Sequence, residues 1–217
     1  KLARANKSVL TSAEYSTKTI TIAGFVGGSD ISTVQENFNR LRGFVQEVEA
    51  ILRVQYGIDW VDYIATLNSV STVMSGPNYD FSLQFICSDP IGRSTSIDNL
   101  FESENITTSA KIIPFNVQGA FYAEPYITIT VTDVTGGTAG NMSISDATTG
   151  RGIRITEDFV DGDIVTIDSS TLTVTLNSSP VDFSGLFPSF LPGLRSLQYV
   201  DDFTTRDVTV TATYHKT

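Results

Sequence analysis

The sequence predicts a mainly β protein in two parts: a β-rich first domain carrying one α-helix, then an antiparallel β-sandwich or jelly roll. Three observations lead there. Apolar residues alternate with period two through most of the chain, one stretch alone has the helical period, and turn residues punctuate the second half densely. At 217 residues, 41% hydrophobic and 18% charged, the composition is globular, with room for two domains of about 100 residues each.

The first strand is TKTITIAGFV, residues 17–26, where Ile20 and Ile22 alternate with threonines. The period then changes. Val34, Phe38, Leu41, Val45, Val48 and Leu52 step by 4, 3, 4, 3 and 4, which places them on one stripe of a helix spanning 30–52. Gly27 and Gly28 mark the turn before it, and Ser32 with Gln35 fits a capping box. LRVQY and WVDYIATL read as strands on either side of Gly57, SGPN reads as a turn, and YDFSLQFIC as a strand. In that last strand Phe81, Leu83, Phe85 and Cys87 share one face, so Cys87 is expected to point inward.

Residues 88–105 combine Pro, Gly, Ser and charge without either period and read as a connection between domains. The expected division is 1–92 and 93–217, with the connection occupying 93–110. Beyond it IIPFNV, YITITV, NMSIS, GIRIT, DIVTI, TLTVTL, SLQYV and DVTVTATYH all read as strands, separated by TGGTAGN, ATTGRG, VDGD, DSS, NSSP and LPG. DIVTIDSSTLTVTLN has the form of a hairpin, with Val165 and Ile167 on one arm and Leu172, Val174 and Leu176 on the other. Threonines line the outward positions, a neutral surface suited equally to packing against a neighbour and to solvent.

Charge and composition exclude several functions. A net charge of -10 and a pI near 4.4 argue against specific nucleic-acid binding, which relies on clustered Lys and Arg. No apolar run approaches the roughly 18 to 20 residues that span a bilayer, and KLARANKSVL lacks the apolar core of a secretion signal; no membrane partner is expected. The lone cysteine excludes an internal disulfide and points to folding in a reducing compartment. The first residue is Lys rather than Met, so either processing or an upstream piece is expected.

No constellation for catalysis emerges. The single histidine, His215, falls on the polar face of the last strand with Thr209, Thr211 and Thr213, opposite Val208, Val210, Ala212 and Tyr214, without a partner base or nucleophile. Cys87 lies among phenylalanines, where a thiolate is disfavoured. GxSxG, P-loop, HExxH and CxxC patterns are all missing, and Gly27-Gly28 lacks the GxGxxG spacing. Asp158, Asp161, Asp163 and Asp168 supply oxygen ligands of the kind calcium uses, but not at EF-hand spacing, and DGD suits a turn. No pair among the 24 acidic residues is singled out for glycoside cleavage. Of the aromatics, Trp60, Phe121, Tyr122 and Tyr126 are candidates for stacking on a sugar or a partner; Trp60 reads first as core or interface packing, and Phe121 and Tyr122, at the bend just before Glu124-Pro125, as lying over a satellite core or offered to another surface. The expectation is a non-enzyme with no catalytic, cofactor-binding or metal residue.

Several stretches, in order and spacing, resemble the distal tail protein family of long-tailed, siphovirus-type bacteriophages. In the first half they are ITIAGFVGGS, RVQYGIDWVDYIATLNSVS and FSLQFICSDP; in the second, NVQGAFYAEPYITIT, NMSISDATTGRGIRI, DGDIVTIDSSTLTV and LFPSFLPGLRSLQYV. The resemblance implies that the first domain closes into a homo-hexameric ring and that the second is a galectin-like sandwich. It further implies a place in the virion at the tail tip or baseplate after assembly in the host cytoplasm, joining the tail tube protein to the tail-tip hub and fibres. Family members carry more sequence ahead of the first matching strand, including a segment that embraces the neighbouring subunit. Ring contacts are expected from the edges of strands 17–26 and 79–87. The alternative class is a carbohydrate-binding module in host-surface recognition, although no large sugar-binding insertion is present; a hydrolase ranks third.

Overall fold

The structure, a computed structural model, describes residues 17–45, 49–75 and 78–217. The chain divides into two compact units, 1–92 and 93–217.

In the first unit β1 (Lys18–Val26), β2 (Ala50–Tyr56), β3 (Asp59–Ser75) and β4 (Asn78–Cys87) form an antiparallel sheet in the order β1-β4-β3-β2. One face is apolar. Ile20, Ile22 and Gly24 of β1 lie opposite Phe85, Leu83 and Phe81 of β4, and Leu52 and Val54 of β2 lie opposite Tyr63 and Val61 of β3. Cys87, Leu83, Phe85, Tyr63 and Ala65 are the buried centre of this cluster; Cys87 points inward, as its alternation predicts. A bulge at Asn68 shifts the register between Leu67 and Ser69, so Leu67 and Val70 both reach the apolar face.

Helix α1 covers Ile31–Phe44, shorter than the 30–52 read from spacing. Asp30, not Ser32, is the N-cap: its Oδ1 accepts the Thr33 N–H at 2.9 Å. Val34 is buried, and Phe38 stacks on Tyr79 with ring centroids 6.1 Å apart. Leu52 fits the helical step only by coincidence. AILRVQY also has period two, and as β2 it sends Leu52 and Val54 to the apolar face while Ile51, Arg53 and Gln55 face away. Val48 and the turn read at Gly76-Pro77 lie outside the described residues. A two-residue turn, Gly57-Ile58, joins β2 to β3, and the φ of +65° at Gly57 explains glycine there.

The second unit encloses one core between two antiparallel sheets. The strands at its start are β5 (Arg93–Ser94), β6 (Ile97–Ile106) and β7 (Lys111–Val117). Then come β8 (Tyr126–Thr135), β9 (Gly140–Asp146), β10 (Gly152–Glu157), β11 (Ile164–Asp168) and β12 (Thr173–Leu176). Two fragments, β13 (Ser179–Pro180) and β14 (Phe183–Gly185), precede β15 (Gly193–Asp201) and β16 (Thr205–His215). One sheet runs β13-β12-β11-β8-β16-β6, the other β14-β10-β9-β15-β7. Ile127, Ile129 and Val131 of β8 and Val208 and Val210 of β16 belong to the same core as Ile144, Ile153, Leu197 and Tyr199 of the facing sheet.

All eight strands read from alternation in this half are present. Two readings change. Most of the expected 93–110 connection is strand, because Ile97–Ile106 pairs along β16. Leu172 does not share the apolar hairpin face: Val165 pairs with Leu176 and Ile167 with Val174, while Leu172 sits exposed in the turn with φ +56°.

Candidate assembly surface and cavity

The first unit has little buried core for the apolar surface it carries. Among the described residues five hydrophobic side chains make up its buried cluster, while Phe25, Ile31, Ile51, Ile58, Ile64, Val73 and Met74 are each at least half exposed. Several lie on the outer face of the sheet. Ile51 opposes Ile64, and Phe25 and Val73 both flank Asp80 from neighbouring strands. Trp60 opposes Gln55 on that face, 44% exposed, so of its expected roles core packing is ruled out. Between these groups lie the neutral Thr21, Thr66, Ser69, Ser71, Ser82 and Gln84; the charges on this face include Asp80 and the ion pair of Arg53 with Asp62 at 2.7 Å.

Among the described residues both outer strands of this sheet are open. Among the described residues β1 pairs only with β4 and β2 only with β3. β1 carries no proline and no charge after Lys18, so it lacks the usual guards of an exposed edge. The expectation of a second edge at 79–87 is overturned, since β4 is bonded on both sides.

In the second unit a cavity of about 460 Å³ opens where β6 and β8 begin and β11 and β16 end. Tyr122, Tyr126, Ile97 and Tyr214 give it apolar walls; Glu124, Asp168, Ser170, Thr213 and His215 add polar groups. Tyr122 is 48% exposed and borders two further cavities of about 380 and 210 Å³. It is therefore offered outward rather than covering a satellite core. The signal for this site was the aromatic bend before Glu124-Pro125; the contributions of Asp168 and His215 follow only from strand pairing.

The residues tested for chemistry have structural partners. Cys87 is fully buried, and burial pushes its thiol up, Lys18 opposing and Asp89 adding, which disfavours a nucleophilic thiolate. His215 Nδ1 lies 2.9 Å from the Ser94 carbonyl oxygen; as that oxygen only accepts, Nδ1 donates. Asp158 caps the Ala139 N–H at 2.7 Å and Asp161 the Val134 N–H at 2.8 Å. Asp163 accepts from the Val160 N–H and the Asn177 amide. Burial would raise the Asp168 carboxyl, but hydrogen bonds from Ser170 and Thr171 outweigh it and hold it below the ordinary aspartate value. Among the described residues no group of three or more His, Cys, Asp or Glu is placed to hold a metal ion.

Residues 118–217 match the family model described as "Siphovirus-type tail component, C-terminal domain". That match takes in a little under half of the chain, all of it within the second unit. The distal tail resemblance read from the sequence is thereby supported, and a solved structure extends it to the fold. The crystal structure of the SPP1 Dit protein, described as a paradigm of the hub adsorption apparatus in phages infecting Gram-positive bacteria, superposes with a TM-score of 0.63 at 13% identity. It covers 92% of this chain and 79% of that one. The phage P2 baseplate in its calcium-activated conformation gives a TM-score of 0.44 at 12% identity, over 92% of this chain and 80% of the other. Comparison with curated protein sequences finds no match. At 13% identity the SPP1 Dit superposition speaks for the fold alone.

Proposed function

We propose that this chain is a distal tail protein whose first unit closes into a ring of six copies, joining the tail tube protein to the tail-tip hub and fibres. The observation that carries this is the first unit's imbalance: a small buried cluster, an exposed apolar set and an unguarded edge at β1. A unit that buries so little alone gains stability by covering Phe25, Ile51, Ile64 and Val73 against another surface. Ring closure needs two different complementary patches on each copy. Here β1 offers directional backbone bonds, and the apolar residues supply the energy. The galectin-like description of the second unit, a place in the virion and assembly in the host cytoplasm belong to the same reading. So does the absence of enzymatic activity.

Light scattering on the size-exclusion eluate, with negative-stain images, tests it. Six-fold rings are expected, alone or with the tube protein, and the paired substitution Phe25→Asp with Ile51→Asp is expected to shift the population to monomer while leaving the second unit folded. A monomer at every concentration under both conditions would refute the ring.

A further inference from the structure

The described residues that line the cavity of the second unit all lie between 93 and 217. Strand register builds its floor. Tyr126 begins β8 with Asp168 of β11 directly opposite on one side and Thr213 of β16 on the other. The three side chains therefore stand in a row on the outer face of the sheet: an aromatic ring between a carboxylate and a hydroxyl. Tyr126 is 45% exposed, so its ring is available. Its neighbour Tyr122 provides a second exposed aromatic, and Glu124 pairs with Arg93 at 2.9 Å at the border.

We infer that this end of the sandwich is a saccharide-binding site for a neutral hexose-type sugar, seated on Tyr126 and held at its hydroxyls by Asp168 and Thr213. The chemistry matches on three points. Sugar rings present C–H faces that pack on exposed aromatic rings and a rim of hydroxyls that needs acceptors and donors together. Asp168 Oδ1 already takes bonds from Ser170 and Thr171, which fixes the carboxylate in place while Oδ2 accepts from a ligand. The volume of about 460 Å³ lies within the usual range for small-ligand sites.

Other ligand classes fit less well. A phosphorylated polyol would face the Asp168 carboxylate, with the Arg93 charge offset by Glu124. An extended peptide adding as a strand would find no free edge at Tyr126, because β8 is bonded on both sides, to β11 and β16; the outer strand β6 reaches the cavity only through Ile97.

His215, the only histidine in the chain, lines the cavity, so its Hε1 proton is a single resolved reporter in NMR. The full chain is titrated with glucose, galactose, N-acetylglucosamine and glycerol phosphate. The expected result is a saturable shift with at least one sugar in the millimolar range, weakened roughly tenfold by Tyr126→Ala and kept by Tyr126→Phe. Tyr126 is exposed, so its removal is expected to spare the fold, and the oligomeric state is expected to stay as in the parent chain. No shift with any of the three sugars, an unchanged affinity in Tyr126→Ala, or tighter binding of glycerol phosphate overturns the inference without touching the ring.

Discussion

Asp201 and Arg206 show what a single pair of residues contributes. The Asp201 side chain has no exposed surface and that of Arg206 is 13% exposed, with Nε and Oδ1 2.7 Å apart. The Arg206 guanidinium also donates to the Phe203 carbonyl, and Asp201 Oδ1 accepts the Phe203 N–H at 3.0 Å. Beside the pair, the buried Tyr199 hydroxyl is pushed well above its ordinary value, by burial first and by the Asp201 charge second. Removing one partner of such a pair leaves the other charged and buried, which costs about 3–5 kcal/mol. Asp201→Ala is therefore expected to lower the unfolding free energy of the second unit by that amount, measured by urea denaturation. A change near zero would show that Arg206 finds water instead. Nothing in the local sequence LQYVDDFTTR marks Asp201 as buried and Asp202 as exposed; only the strand end at Asp201 separates them.

At the scale of elements, β6 shows why a strand can escape detection by pattern. Leu100 and Ile106 are buried, but two register irregularities on β16, around Ala212, interrupt the pairing between them. Alternation is lost, and as an outer strand β6 keeps Glu102, Ser103 and Asn105 exposed. Composition therefore reads as a linker although the backbone is bonded along β16. Hydrogen exchange is expected to protect backbone amides bonded between Leu100 and Ile106 far more than those of the 107–110 turn. Equal, rapid exchange across 97–110 would restore the linker reading. The helix errs the other way: its stripe runs into AILRVQY, where two periods fit the same residues, and pairing with β3 decides for strand.

At the scale of the molecule, the two units carry separate cores that share no residue, one large and one small. Two calorimetric transitions are expected, the first unit melting at the lower temperature. If rings form, that first transition rises with protein concentration, because association favours the folded unit, while the second stays fixed. A single transition independent of concentration would contradict both the division and the role given to the exposed face. The cavity in the second unit is expected to leave these transitions unchanged when Tyr126 is replaced, which keeps its test apart from that of assembly.

The sequence by itself determined the class of the fold, the eight regular strands of the second half, the inward face around Cys87 and the lack of catalytic motifs. Each depends on periods and spacings that are local. It flagged the bend at Tyr122 as a place where side chains could meet another surface, but not the row of Asp168, Tyr126 and Thr213, whose members come from three strands far apart in the chain. Tertiary structure alone decided which strands are edges, where the helix stops and which apolar residues stay uncovered. Those properties follow from which backbone groups find partners across the sheet, and a one-dimensional pattern does not record pairing.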